Sequence, residues 1–170
     1  RVIVGYSADS AGNTLAARWT DGVISSPDDF PDGVRSSVAT GVSADGEVVV
    51  GYLTSPSVTA GVSYEAFRWT EGEMLALGFL QEGYVHSFAR AVSADGSVVV
   101  GQAYRQTDDR AFIWTEASGM QRLSEVLVAN GATGLEGWKL LDAQASSPDG
   151  RWIVGIAIDA DGFDQAFLAD

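Results

Sequence analysis

Four times along the chain, a short run of mostly β-branched residues ends in glycine: Val2-Ile3-Val4-Gly5, Val48-Val49-Val50-Gly51, Val98-Val99-Val100-Gly101 and Trp152-Ile153-Val154-Gly155. The four glycines are spaced by 46, 50 and 54 residues. Three of the runs follow a second marker: Ser43-Ala44-Asp45-Gly46, Ser93-Ala94-Asp95-Gly96 and Ser147-Pro148-Asp149-Gly150. Every run is followed by a third: Ala17-Arg18-Trp19-Thr20, Ala66-Phe67-Arg68-Trp69-Thr70, Ala111-Phe112-Ile113-Trp114-Thr115 and Ala166-Phe167-Leu168-Ala169. Markers in one fixed order at this period mean a supersecondary unit copied along the chain. Each copy is too small to hide its apolar faces without its neighbours.

The unit reads as β structure. A Val/Ile run closed by glycine suits a strand covered on both faces. Asp-Gly is a two-residue hairpin signal, so Asp45-Gly46, Asp95-Gly96 and Asp149-Gly150 should each join an inner strand, such as Phe88 to Ser93, to the Val strand. The Ala-Phe-x-Trp segment makes a third strand. A fourth is expected where Gly72 precedes Met74-Leu75-Ala76-Leu77 and where Gly119 precedes Met120-Gln121-Arg122-Leu123.

Four antiparallel strands in such a length are the size of a propeller blade. The expected fold is therefore all-β: a β-propeller-like array of four units, about 1–37, 38–87, 88–139 and 140–170. The first unit lacks its innermost strand and the last lacks its fourth, giving fourteen strands. A β-sandwich or a solenoid built from the same hairpins is the alternative. Unpaired edges at both ends lead to the expectation that the chain is the C-terminal part of a longer propeller, or that a second copy completes the array. One helix is expected, Ser124 to Asn130, with Ser124 as its cap and Asn130-Gly131 as its stop.

Composition narrows the chemistry. Ten Lys+Arg against 23 Asp+Glu give a net charge of −13, which disfavours phosphate backbones and anionic lipid, so neither nucleic acid nor a membrane surface is an expected partner. No apolar run is long enough to span a membrane. The absence of cysteine excludes thiolate nucleophiles and cysteine-ligated metals, and the single histidine, His86, excludes multi-histidine sites. His86 reads as a turn or surface residue. There is neither a Gly-x-Ser-x-Gly elbow nor a phosphate-binding Gly-Lys-Ser/Thr loop.

The three markers resemble the HAF family of bacterial extracellular repeat proteins over nearly the whole chain. The closing stretch from Gly137-Trp138 through Ser147-Pro148-Asp149-Gly150 to Ala166-Phe167-Leu168-Ala169 looks like the last repeat of such proteins. The Ser-Pro-Asp-Gly hairpin is similar to that of TolB-type propeller blades. The resemblance implies a β-propeller-like array and an extracellular, cell-surface or periplasmic location in a bacterium. It implies no catalytic residue.

Function in such an array falls to the loops between second and third strands: Tyr6 to Leu15, Tyr52 to Glu65, Gln102 to Arg110 and Ile156 to Gln165. All four lie on one edge. Tyr6, Tyr52, Tyr64 and Tyr104, with Asp108 and Asp109, suit binding of a carbohydrate or a protein, and read equally as solvated loops with half-buried rings. Asp159, Asp161 and Asp164 around Gly162 have the close oxygen spacing a calcium ion requires, and also that of a plain turn. Asp28, Asp29 and Asp32 form a weaker acidic loop. The repeated Asp45, Asp95 and Asp149 read as turn caps, and Trp19, Trp69 and Trp114 as packing between units.

No cofactor other than calcium is implied. The reading is an exported, non-catalytic scaffold or binding module. The alternative is a fragment of a propeller hydrolase or carbohydrate-active enzyme with central carboxylates. An autotransporter-passenger or surface-layer role is a third reading.

Overall fold

A computed structural model describes residues 1–27, 34, 36–55, 63–71, 73–81 and 83–170. The protein is all-β apart from one short helix. Sheet 1 holds β1 (Val2–Ala8), β2 (Thr14–Thr20) and β3 (Val23–Ser25). Sheet 2 runs β4 (Ser37–Val42), β5 (Val49–Ser55), β6 (Ser63–Thr70) and β7 (Glu73–Ala76). Sheet 3 repeats the order with β8 (His86–Val92), β9 (Val98–Arg105), β10 (Asp108–Thr115) and β11 (Gly119–Arg122). After α1 (Leu123–Ala129), sheet 4 comprises β12 (Lys139–Ser146), β13 (Ile153–Ile158) and β14 (Asp164–Ala169). A single parallel bridge, Tyr64 to His86, ties sheet 2 to sheet 3. Among the described residues no sheet closes on itself.

The recurring glycine has a steric cause. Gly51 pairs with Phe67 on one side and Ala39 on the other. A Cβ there would stand 1.9 Å from the Val38 carbonyl oxygen and 2.9 Å from the Phe67 ring. Gly101 meets the Phe88 carbonyl and the Phe112 ring in the same way, and Gly155 the Asp142 carbonyl and the Phe167 ring. The inner strand bulges opposite these sites, at Thr40, Arg90 and Gln144, each placed between two small residues. Gly5 has no inner strand beside it, and its nearest neighbour is the Trp19 ring at 3.6 Å.

The Asp-Gly positions join the strands they were expected to join, but not as two-residue hairpins. Only the glycines have positive φ, and Gly46 N–H donates to the Ser43 carbonyl at 3.1 Å inside a longer turn. Ser43 Oγ donates to Asp45 Oδ1 at 2.5 Å and accepts from Val48 N–H at 2.9 Å, while Asp45 Oδ1 also takes Glu47 N–H. Ser93 with Asp95, and Ser147 with Asp149, repeat the arrangement. The serine-aspartate pair thus satisfies donors that a two-residue turn would leave to its strands.

The sheets are latched by equivalent contacts. Ala44 N–H donates to the Ala94 carbonyl at 3.0 Å and Ala94 N–H to the Pro148 carbonyl at 2.7 Å, so the turns form a chain across units. Arg18 and Arg68 reach the carbonyls of Gly46 and Gly96 in the following turns. Ser37 and Ser87 accept the N–H of Ala16 and Ala66 in the preceding sheets. Three apolar clusters fill the interfaces. One packs Ala16 against Val49, Phe67 and Trp69, and a second packs Val50 and Ala66 against Val99, Phe112 and Trp114. The third packs Val100 and Ala111 against Leu140, Ile153 and Ala157. Trp69 and Trp114 are buried in these interfaces, as their recurrence suggested.

The helix starts one residue early. Arg122 is its N-cap without a side-chain bond, so Ser124 lies inside the first turn, while Asn130 closes the end by donating to the Val126 carbonyl. Buried Leu123 anchors it to the interface of sheets 3 and 4.

Candidate functional site: an aromatic cluster and a carboxylate groove

The inner strand β8 places His86, Phe88 and Arg90 two residues apart, at its edge. His86 stacks on Tyr104 of β9 with ring centroids 5.0 Å apart. Phe88 meets Tyr52 of β5 at 5.1 Å and Tyr64 of β6 at 5.4 Å, and those tyrosines meet each other edge-on at 5.9 Å. Three of the four tyrosines expected at the site therefore converge, but as strand residues rather than loop residues. Between β9 and β10 only Gln106 and Thr107 form the turn, so Tyr104, Asp108 and Asp109 all belong to strands. Tyr6 stays apart, 62% exposed on β1.

His86 is not a turn residue. It opens β8, half-buried, and its Nδ1 accepts the Tyr64 N–H at 3.2 Å, which leaves the neutral ring's proton on Nε2. Burial lowers its pKa below the ordinary histidine value.

Arg90, the bulge residue, lies 5.7 Å from the Phe88 ring and turns towards sheet 4. Its Nε pairs with Asp142 Oδ1 at 3.3 Å and its Nη2 donates to Gln102 Oε1 at 3.0 Å. Gln102 Nε2 donates in turn to Asp109 Oδ2 at 3.2 Å. Burial, reinforced by the charges of Asp108 and Asp142, raises the Asp109 pKa. Asp108 serves structure: against the cost of its burial, the Tyr84 hydroxyl at 2.6 Å and the guanidiniums of Arg110 and Arg105 hold its pKa down.

These groups border a groove of about 540 Å³. Gln102 and Asp109 line it from sheet 3; Leu141, Asp142, Ile156, Asp164, Gln165 and Ala166 line it from sheet 4. Leu141, Ile156 and Ala166 give the groove apolar lining, Asp109, Asp142 and Asp164 carboxylates, and Gln102 and Gln165 carboxamides; the aromatic cluster adjoins it through Phe88 and Gln102, which are register partners.

The three aspartates set aside for calcium do not come together. Asp159 Oδ1 accepts the N–H groups of Asp161 and Phe163, and its Oδ2 accepts Gln165 Nε2. Asp9 makes the equivalent turn in sheet 1 with Ala11 and Asn13, so the turn forms with alanine at the place of Asp161. Asp164 faces the groove instead. Among the described residues no group of three or more carboxylate or histidine side chains is placed to hold a metal. Asp28, Asp29 and Asp32 lie outside the described residues.

Arg90, Gln102 and Asp142 were missed in the sequence. The available signal was a charged residue between two alanines, Ala89-Arg90-Ala91, in the middle of the inner strand.

No protein-family model matches the sequence, and no curated protein does. The fold has counterparts among solved structures. A protein described as TolB from Agrobacterium tumefaciens superposes with a TM-score of 0.63 at 15% identity, over 99% of this chain and 57% of its own. TolB from Acinetobacter baumannii superposes at 0.53 with 12% identity, over 99% of this chain and 44% of its own. The fold is TolB-like and β-propeller-like. The chain spans about half the length of these counterparts. The HAF side of the resemblance has no matching family model.

Proposed function

We propose that the protein is a non-catalytic binding module, exported to the periplasm or cell surface, that receives an extended polypeptide segment in the groove between sheets 3 and 4. The four sheets then act as four blades whose repetition supplies a rigid frame. The observation that carries this reading is the linked row Asp142–Arg90–Gln102–Asp109, of which Asp142, Gln102 and Asp109 line the groove. With Asp142 Oδ1 and Asp109 Oδ2 engaged within the row, the second oxygen of each carboxylate is left to accept backbone N–H groups beside the apolar lining of Leu141, Ile156 and Ala166. The TolB-like fold of the solved counterparts supports a β-propeller-like binding module.

The hydrolase reading rests on Asp109, a carboxyl whose pKa is raised by burial and then by the charges of Asp108 and Asp142. It is the weaker reading because Asp142 is engaged by Arg90 and Asp109 by Gln102.

Chemical-shift mapping with a panel of short unstructured peptides and a matched panel of oligosaccharides tests the proposal. Peptides should shift the side-chain amide signals of Gln102 and Gln165, and Gln102→Ala should weaken the effect at least fivefold. Response to oligosaccharides alone, or their cleavage in a manner abolished by Asp109→Asn, would overturn it.

A further inference from the structure

Register makes the inner strands comparable residue by residue. Ser37, Ser87 and Leu140 pair with Leu53, Ala103 and Ala157, each two residues past the recurring glycine. The residues before them are Ser36, His86 and Lys139. Serine does not titrate near neutrality and lysine carries no acceptor, so of these three only His86 is an acceptor whose state a proton can change.

His86 stands where sheets 2 and 3 meet, and β6 lies against β8 there through its first residues. Ser63 Oγ donates to the Val85 carbonyl, Tyr64 N–H to His86 Nδ1 at 3.2 Å and Ala66 N–H to Ser87 Oγ at 2.9 Å. The bridge between Tyr64 and His86 is the one strand pairing that joins two of the sheets among the described residues. Neutral His86 can accept at Nδ1 because its proton sits on Nε2. Imidazolium carries protons on both nitrogens. It sets a donor against the Tyr64 donor, and no rotation of the ring restores the bond.

The ring can take up that charge in place. Tyr104 stacks on it at 5.0 Å and Tyr64 lies at 5.8 Å, and aromatic faces attract cations. Burial alone shifts its pKa, downwards, and the charged neighbours are engaged elsewhere or turned away. Asp109, opposite Tyr104, is held by Gln102, and Arg90, further along β8, by Asp142. Glu65 and Arg105, next to Tyr64 and Tyr104, fall on the opposite faces of their strands.

We propose that His86 is a proton-operated latch: protonation releases the first residues of β6 from β8, and Tyr64 with them from the aromatic cluster. The rest of the junction stays shut, since Ala66 keeps its bond to Ser87 and packs in the core with Val50, Val99 and Phe112. Tyr64 meets Phe88, whose register partner Gln102 lines the groove, so the latch puts the aromatic end of that groove under the control of pH.

His86 is the single histidine, so its Cε1 proton reports its charge directly by NMR. The isotope-labelled 170-residue chain, without ligand, is titrated from about pH 7.5 to about pH 4.5, and amide exchange is compared with the intrinsic rate at each pH. Protection of Tyr64 N–H should fall about tenfold along the His86 titration curve, with the same midpoint, while Ala66 N–H keeps its protection. His86→Gln supplies an acceptor that does not titrate and should leave Tyr64 equally protected throughout. Tyr64 protection unchanged as His86 titrates, a decline that persists in His86→Gln, or a histidine still neutral at the acid end would each overturn the proposal. So would Ala66 opening in step with Tyr64, which would mean that the whole junction gives way. None of these results bears on whether peptides bind the groove.

Discussion

At the scale of single residues, steric and protonic constraints dominate. Gly101→Ala would drive a methyl to 2.0 Å from the Phe88 carbonyl, between the inner strand and the Phe112 ring. Backbone on both sides leaves little room to yield, so urea denaturation should show a loss of about 3 kcal/mol. Gly5→Ala meets only the Trp19 ring at 3.6 Å and should stay within about 0.5 kcal/mol of the parent. The turn aspartates set the acid limit. The Ser93 hydroxyl, then the N–H and hydroxyl of Ser97, lower Asp95 from 3.8 to about 2, and Asp45 and Asp149 are lowered alike by their serines.

A depressed carboxyl pKa contributes stability that is complete above the unfolded value and is lost as pH falls through the folded one. The melting temperature should therefore drop between pH 4 and 2, and less steeply in Asp95→Asn. His86 acts in the same direction at higher pH. Its pKa is lowered by burial from 6.5, so the unfolded chain binds the proton first and stability should decline as pH falls below about 6.5. His86→Gln should remove that slope.

At the scale of elements, the Ser-x-Asp-Gly turn and the inner-strand bulge organise each unit. Ser93→Ala leaves Val98 N–H without its side-chain acceptor and removes one of the donors to Asp95, and Ser93 itself is fully buried; a loss of about 1–2 kcal/mol is expected in urea titrations. These elements also show what sequence can reveal. Strand positions were legible because β-branched runs, glycine and the aromatic segment recur in register, and repetition averages out the noise of any one copy. Turn geometry was not legible. Asp-Gly alone suggests a two-residue hairpin, whereas the decisive contact is the serine hydroxyl two residues upstream, whose bonding depends on the backbone around it. Nor did the sequence show that Tyr104, Asp108 and Asp109 belong to strands, since a turn of only Gln106 and Thr107 needs Gln106 at φ +42°, which non-glycine residues seldom adopt. The convergence of Arg90 with Asp142 across two sheets is tertiary, set by a bulge that no local pattern announces.

At the scale of the whole molecule, the four sheets are mutually dependent. Each junction combines an apolar cluster with a backbone or serine hydrogen bond across it, so no sheet should open without exposing its neighbour's core. Native-state hydrogen exchange addresses this through amides whose acceptor belongs to the adjacent sheet: Ala66, bonded to Ser87 Oγ, and Ala94, bonded to the Pro148 carbonyl. If the sheets stand or fall together, these amides should open with the same free energy as the strand amides of β5 and β9 and the same dependence on denaturant. Exchange at Ala66 and Ala94 orders of magnitude faster than within those strands would mean that the sheets are independent modules, and would contradict the account.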